Sequence, residues 1–335
     1  MEMNGKGHQY WSRAPLRSRF CCKARFASAL HAASSIFVPE TRQLHSAHRC
    51  GSTALRNSAS LRRSHAHATT MADSTQEATK PIGWLPLESN PEVLNPFLWK
   101  LGVPGEWGFC DVFGLDPELL AMVPRPCMAL CLLFPCEKIA KERRPALRAA
   151  RRDRVEADKA DPDNDEARIR NEAEGGVFFL EQVAGTGNAC GTVACLHAVG
   201  NAVAGQAFHV PWETPLGRYI TEASKDHSPK ERGNRLLAAT DLHQAADDTA
   251  RSGQTEGAGT NDHGDRHFVC FCERGGRLFE LDGRNIGVDD EAFPVDHGPT
   301  TPENFVNDAA RVIRDEFVAL DAENPNFNVV AFVRL

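Results

Sequence analysis

The chain has 335 residues and 41% apolar content, which is enough for one large domain or two ordinary ones. Its net charge is −7, but residues 1–70 carry 11 Lys and Arg against 2 acids, so the remainder has a net charge of −16. Such an acidic body repels phosphate backbones, and no apolar run reaches the roughly 18 residues that a membrane-spanning helix needs. We therefore exclude a membrane span and disfavour nucleic acid as a partner.

Residues 1–80 are predicted to lie outside the folded domain, as a disordered leader or a transit peptide. Residues 1–70 are rich in Arg, Ser, Ala and His, poor in acids and without a sustained hydrophobic period. Met71 opens a polar segment and is an alternative start of translation, so the sequence leaves open whether the leader is made. A genuine leader would permit organellar targeting, and otherwise we expect a cytoplasmic protein.

The eleven cysteines are interpreted as reduced thiols. Their number is odd, no secretory signal precedes them, and most lie inside apolar runs, which is typical of a reducing compartment. Metal binding is the alternative for Cys127, Cys131 and Cys136, but their spacings are not those of zinc knuckles and no His lies nearby. We therefore interpret these three residues as buried apolar cysteines and expect no metal there.

The folded body is predicted over residues 81–335 as one mixed α/β domain. The pattern predicts helices at 90–102, 117–122, 194–204 and 304–320, and strands at 127–134, 177–180, 267–272, 277–281 and 328–332. A charged insert of mixed sign, residues 137–174, is predicted as a solvated helix followed by a loop. Residues 253–265 are too polar and too rich in Gly to pack, which is typical of a lid or a disordered insert.

The stretch NACGT, residues 188–192, passes from a Gly-containing loop into an apolar helical pattern, so Cys190 is predicted at a helix N-terminus. Unpaired backbone N–H groups and the positive end of the helix dipole favour the thiolate there, which is the nucleophilic form. A buried cysteine at an ordinary helix cap is the alternative. His197 lies about 10 Å farther along the helix, too far for proton transfer, and we interpret it as a core or surface histidine.

A general base is predicted from the hairpin that follows. His267 begins one strand and Asp282 ends the next, with Gly275-Gly276 between them as a two-residue turn. Counting outward from that turn makes Asp282 the diagonal neighbour of His267 on the same face of the sheet. A carboxylate so placed accepts a hydrogen bond from the imidazole and stabilises its protonated form. A half-buried strand histidine and a turn aspartate are the plain alternative.

These residues lie within longer motifs by which the chain resembles the ubiquitin C-terminal hydrolases, papain-like thiol peptidases that cleave after the C-terminal glycine of ubiquitin. The motifs are WLPLESNPEV at 84–93, DVFGLDPELL at 111–120, MVPRP at 122–126, NACGT at 188–192, GQTE at 253–256, HF at 267–268 and ELDGR at 280–284. Several long motifs in this order, spread over residues 84–332, make the resemblance specific.

The resemblance implies a papain-like α/β (α+β) fold, with a central, mostly antiparallel sheet flanked by helices and a knotted chain path. It implies Cys190 as nucleophile, His267 as general base and acid, and Asp282 as the orienting carboxylate. It further implies no cofactor, ubiquitin as the protein partner and a monomeric enzyme. An acidic body suits a basic protein surface, which agrees with such a partner.

The resemblance also implies a glutamine as a donor to the oxyanion, beside the backbone N–H of Cys190. The candidate, Gln182, lies eight residues before Cys190, where the family pattern has six. Our hypothesis is that Gly185 and Gly187 let the longer loop bulge while Gln182 keeps its place. A displaced Gln182 is the alternative.

Two acids and one loop complete the expected ubiquitin site. The resemblance places Glu88 and Asp111 where the family meets the arginines of the ubiquitin tail, although each could be a plain surface carboxylate. Residues 228–265 stand in place of the crossover loop that limits the size of the leaving group. Because this segment is long and rich in Gly, we predict small adducts or flexible tails as leaving groups.

Two other functions stay open from the sequence. One is a ubiquitin-binding module that keeps the fold without turnover, for which the altered spacing of Gln182 is the only support. The other is a thiol hydrolase that acts on the tail of another ubiquitin-like protein.

Overall fold

An antiparallel sheet organises the part of the chain that the computed structural model describes, residues 83–253 and 266–335. Its strands are β1 (Trp107–Asp111), β2 (Cys127–Pro135), β3 (Arg266–Arg274), β4 (Arg277–Leu281), β5 (Val295–Pro299) and β6 (Asn328–Arg334). Their order across the sheet is β1-β6-β2-β3-β4-β5, and every neighbouring pair is antiparallel. The predicted mixed α/β fold with a mostly antiparallel sheet is confirmed, and the knotted path stays a prediction.

Helices cover the sheet on both sides. They are α1 (Pro91–Leu101), α2 (Pro117–Leu120), α3 (Cys136–Ala160), α4 (Asp165–Gly175), α5 (Cys190–Ala204), α6 (Pro215–Ala223), α7 (Pro229–Ala238), α8 (Thr240–Ser252) and α9 (Phe305–Glu316). The start of α1 follows the predicted signal, because the side chain of Asn90 accepts a hydrogen bond from the backbone N–H of Glu92 and Pro91 is the first helical residue. Within the described ranges, no helix combines the length and the apolar character needed to cross a membrane.

The core consists of two apolar layers, one on each face of the sheet. Successive residues of a strand point to opposite faces, so on β3 the thiol of Cys270 belongs to the layer of α5, whereas the side chain of Phe271 belongs to the layer of α9. Helix α5 is buried on nearly every side. Helix α9 is amphipathic, with Val306 and Ile313 buried on its inner face. The first residue of α5 is therefore held deep in the fold.

The prediction of a strand at residues 177–180 is wrong. The segment is buried, but its backbone bonds to side chains of α5 and α7 and not to a neighbouring strand. Asn201 accepts a hydrogen bond from the N–H of Phe178 and donates one to its carbonyl, both at 2.9 Å. The Nε2 atom of His197 accepts from the N–H of Leu180 at 3.1 Å. An apolar pattern indicates burial, but burial alone does not identify the hydrogen-bond partner.

The charged insert contains more helix than predicted. The expected helix is α3, and the second half, predicted as a loop, forms α4. Arg151 and Arg154 on α3 both bind the carboxylate of Glu174 on α4, at 2.7 Å and 2.6 Å. Arg170 on α4 binds Asp158 on α3. The mixed charges therefore join two helices to one another, which a count of charges along the chain does not reveal.

Several other elements were not predicted. They are β1, β5, α6, and the two helices α7 and α8 in the segment 228–252, which was expected to begin a crossover loop. Residues 254–265 of that expected loop, and residues 1–82 with the predicted leader, lie outside the described residues.

Replacing Asn201 with Ala should destabilise the fold. The change removes the partners of the buried N–H and carbonyl groups of Phe178, and each unsatisfied group costs about 1 to 3 kcal/mol. Urea denaturation measures the loss of unfolding free energy. The matched control is Asn171→Ala, in the exposed part of α4, which should change the free energy by about 0.5 kcal/mol or less. Equal stability of the two variants would refute this account of the segment.

Candidate active site

Cys190 lies at the first residue of α5, as predicted, and only 8% of it is exposed. The loop before it is pinned by the N-terminal segment of the described chain. The N–H of Trp84 donates to the carbonyl of Thr186, and the N–H of Asn188 donates back to the carbonyl of Trp84, both at 3.1 Å. Gly187 has a φ of 59°, and a Cβ there would come within 3.0 Å of a backbone atom of the same segment. The position of the thiol thus depends on a close backbone approach that only glycine permits.

The start of α5 is also packed tightly from the side. A Cβ on Gly191 would lie 3.1 Å from the Cβ of Leu87 and 3.3 Å from the ring of Phe268. Phe268 follows His267 on β3, so this packing brings the helix start against the strand that carries the imidazole. A side chain after Cys190 would therefore have to displace Leu87 or Phe268 slightly.

The structure brings His267 and Asp282 together. The turn Gly275-Gly276 joins β3 to β4 with φ values of 59° and 77°, and the residues that flank it pair as predicted. The Nε2 atom of His267 donates to Oδ1 of Asp282 at 2.6 Å, and both side chains are buried. A charge-assisted hydrogen bond of this length fixes the orientation of the imidazole.

Asp282 is held by three groups. Its Oδ1 also accepts the backbone N–H of Arg284 at 2.8 Å, and Nη2 of Arg144 lies 3.7 Å from its Oδ2. Burial opposes ionisation of this carboxyl group, but the charge and hydrogen bond of His267, helped by Arg144, hold its pKa well below the usual range. The carboxylate is therefore negative at every physiological pH.

The imidazole of His267 is protonated in consequence. Burial opposes the charged form, but the negative charge and hydrogen bond of Asp282 and the neighbouring Cys190 raise the pKa of His267 to about 9. Because Asp282 occupies Nε2, the other nitrogen of the ring, Nδ1, is the one left to interact with the thiol of Cys190. The edge of the Phe134 ring packs against the imidazole, with ring centroids 5.8 Å apart.

The thiol of Cys190 is activated by the same charges. Burial alone would raise its pKa, but hydrogen bonding and charge from His267, together with the positive charge of Arg284, lower it below the ordinary cysteine value. A thiolate beside an imidazolium is the reactive resting state of a cysteine nucleophile.

Gln182 lies beside the loop that leads into Cys190. Its side-chain amide donates to the carbonyl of Gly187 at 2.9 Å, and its Oε1 accepts from Nε of Arg284 at 3.1 Å. Gly185 and Gly187 both have positive φ, 95° and 59°, as expected for a bulged loop. Its role as donor to the oxyanion stays a prediction.

The two predicted ubiquitin-binding acids lie toward the same end of the sheet as His267. Asp111 is the exposed last residue of β1, and its partner is Val330 on β6. Glu88 is half-buried, next to Ser89, whose hydroxyl donates to Oδ1 of Asn328 at 2.7 Å. Asn328 is the first residue of β6, so Asp111 and the backbone next to Glu88 lie near the same edge of the sheet. Their role in binding is not tested by this placement.

Two residues that contact the site were missed by sequence reasoning. Arg284 belongs to the quoted motif ELDGR but received no role, although it contacts Gln182 and lowers the pKa of Cys190. Arg144 lies among many arginines of the charged insert, and no local signal distinguishes it. His197, by contrast, is a core residue, with its ring stacked on Phe179 at 5.1 Å.

One cluster outside this site has the composition of a metal site. Glu280, His297 and Glu316 place ligand atoms within 4.8 Å of one another. Arg143 already binds both carboxylates, at 2.8 Å and 2.7 Å. Although burial opposes it, hydrogen bonding to Glu280 and Glu316 raises the pKa of His297 to about 9, so the ring is protonated and pairs with both carboxylates. The cluster is an ion-pair network.

The chemistry that a thiolate, an imidazolium and an orienting carboxylate support is that of a cysteine-dependent hydrolase. Comparison with known proteins agrees with this class, because the family model described as ubiquitin carboxyl-terminal hydrolase, family 1, matches residues 84–318. The chain belongs to the ubiquitin carboxyl-terminal hydrolase family, and the resemblance read from its motifs is confirmed.

Individual relatives cover the same region. A ubiquitin carboxyl-terminal hydrolase of Drosophila melanogaster is 36% identical over 251 residues, which is 75% of this chain and 97% of that protein. Ubiquitin carboxyl-terminal hydrolase 3 of Arabidopsis thaliana is 32% identical over 259 residues, or 77% and 97% of the two chains. The crystal structure of the Trichinella spiralis UCH37 catalytic domain bound to ubiquitin vinyl methyl ester aligns with a TM-score of 0.53 and 18% identity, over 76% of this chain and 97% of that chain. The last likeness supports the fold.

Alkylation of Cys190 by iodoacetamide should have a pH midpoint below the ordinary thiol value of about 8.5, because His267 stabilises the thiolate. His267→Ala removes the imidazolium and retains most of the burial, so the midpoint should rise by about 1 to 3 pH units. Mass spectrometry of the peptide that contains Cys190 measures the rate at each pH. Cys110 is an internal control, because burial and Asp111 raise its pKa and it lies away from His267. An unchanged midpoint for Cys190 in the variant would refute the ion pair.

Proposed function

We propose that the protein is a cysteine-type hydrolase that cleaves bonds formed by the C-terminal glycine of ubiquitin. The observation that carries the proposal is the placement of His267, which contacts Asp282 through one nitrogen and interacts with Cys190. Membership of the family supports the substrate, since its relatives are named ubiquitin carboxyl-terminal hydrolases.

The reaction follows from the charges at rest. The Cys190 thiolate attacks the carbonyl carbon of the ubiquitin glycine, and the His267 imidazolium gives its proton to the leaving amine. The resulting thioester is hydrolysed by a water molecule from which the now neutral His267 takes a proton. Asp282 remains ionised throughout, because its role is to orient the ring and to stabilise its charged form.

Stabilisation of the tetrahedral intermediate falls to the start of α5. The backbone N–H of Cys190 and the positive end of the helix dipole favour negative charge at that point. Gln182 is the proposed second donor. Arg284 binds its Oε1 and thereby directs its amide hydrogens toward the loop before the nucleophile.

Substrate selection is proposed to rest on the acidic surface at the same end of the sheet. Glu88 and Asp111 are the candidates to meet basic side chains of the ubiquitin tail, in agreement with a net charge of −16 over residues 71–335. Small adducts or flexible tails remain the proposed leaving groups. The enzyme is proposed to be monomeric and cytoplasmic.

Ubiquitin that carries a C-terminal electrophile should label the parent protein on Cys190, and Cys190→Ser should abolish the label. Intact-protein mass spectrometry detects the adduct. Cys110→Ser is the matched control, because this half-buried thiol on β1 lies outside the proposed triad, and it should keep the label. A parent that binds ubiquitin without being labelled would instead be a binding module. Stronger competition by another ubiquitin-like protein would reassign the substrate.

Gln182→Ala should lower kcat for a ubiquitin C-terminal amide by about 10²- to 10³-fold, the usual effect of losing one donor to the oxyanion. The rate of alkylation of Cys190 by iodoacetamide should change little, since that reaction forms no oxyanion. The control is Gln244→Ala on α8, where the side chain binds Asp248 on the surface. Normal turnover by Gln182→Ala would assign the donor to another group.

A further inference from the structure

We infer that Arg144, on the charged insert, is a positioning residue of the active site. Its guanidinium holds the carboxylate of Asp282, and this negative carboxylate then interacts with two positive groups, Arg144 and His267. The inference rests on the proposed function, because it concerns the same triad. No motif in the sequence marks Arg144, and its role follows from the way α3 lies on the strand that carries the catalytic carboxylate.

The residue before Arg144 anchors α3 to β4. Arg143 binds both oxygens of Glu280 at 2.9 Å and 2.8 Å, and its guanidinium lies 3.9 Å above the ring of Phe317. A bidentate contact that is almost completely buried has a well-defined geometry. Because Glu280 and Asp282 are two residues apart, they lie on the same face of the hairpin, and anchoring one brings α3 beside the other.

Arg144 is the next residue, and it reaches the free side of the catalytic carboxylate. Oδ1 of Asp282 is occupied by His267 and by the backbone N–H of Arg284, whereas Nη2 of Arg144 lies 3.7 Å from Oδ2. The Nε atom of Arg144 is buried and has no hydrogen-bond partner among the described atoms. The contact is longer than a hydrogen bond and the side chain is one-third exposed, so its effect is modest and electrostatic.

The sign of that effect is set by the charges that face the triad. Besides the triad itself, the titratable and charged groups around it are Arg284 after β4, the neutral His197 from α5, and Arg144 with the thiol of Cys136 from α3. A positive charge favours the deprotonated form of every neighbour. Removing Arg144 therefore raises the pKa of the Cys190 thiol and that of the His267 imidazolium. Both limbs of the pH–rate profile, which report these two groups, move to higher pH.

The test compares Arg144→Gln, Arg144→Lys and Arg152→Gln. The first removes the charge, the second keeps it, and the third removes the same charge from another position of α3, where Arg152 pairs with Asp153. Two readouts are measured against pH, namely alkylation of Cys190 by iodoacetamide and kcat/KM for a ubiquitin C-terminal amide. Thermal melting of each variant verifies that it is folded.

Arg144→Gln should shift the pH midpoints of both limbs to higher pH by about 0.2 to 0.7 units, the range expected from a partly exposed ion pair. Arg144→Lys and Arg152→Gln should leave them in place. The inference would be overturned if a folded Arg144→Gln protein kept both pH midpoints of the parent, or if Arg152→Gln shifted them by the same amount. If the unmodified protein does not cleave the ubiquitin C-terminal amide, the proposed function is refuted. The pH dependence of Cys190 alkylation would still decide the role of Arg144.

Discussion

The proposed active site depends on the hydrogen bond between His267 on β3 and Asp282, the residue that follows β4. Burial by itself would keep the imidazole neutral and would make the Cys190 thiol a poor nucleophile. The ionised carboxylate reverses the first effect, and the imidazolium that it stabilises reverses the second. Each charge in the series therefore depends on the one before it, and the series begins at Asp282.

The sheet gathers these groups because its strands are antiparallel. In the register of the sheet, His267 lies opposite Phe134 at the end of β2, close to where β6 begins and β1 ends. Helix α5 packs against this sheet with its N-terminus held by the segment that contains Trp84. On the other face, Arg143 of α3 binds Glu280 of β4, and Arg144 lies 3.7 Å from Asp282, the residue that follows this strand.

The fold could be predicted where it depends on a local sequence pattern. It could not be predicted where the hydrogen-bond partners of a segment lie far away in the sequence. The β3-β4 hairpin follows from a Gly-Gly turn between alternating segments, and its register was counted correctly. Residues 177–180 show the opposite case, because their apolar character indicates burial but their backbone partners are Asn201 and His197 on α5. Strand β5, with the sequence VDHGP, shows no hydrophobic alternation and gave no signal.

For the site, the sequence alone determined the helix start at Cys190 and the pairing of His267 with Asp282, since both depend on residues adjacent along the chain or across a short turn. Tertiary structure decided the place of Arg144 and the charge state of the triad. Those depend on which groups approach a buried atom from distant segments, and on how far water is excluded there. The spacing of residues along the chain reveals neither these distances nor the exclusion of water, and electrostatic energy depends on both.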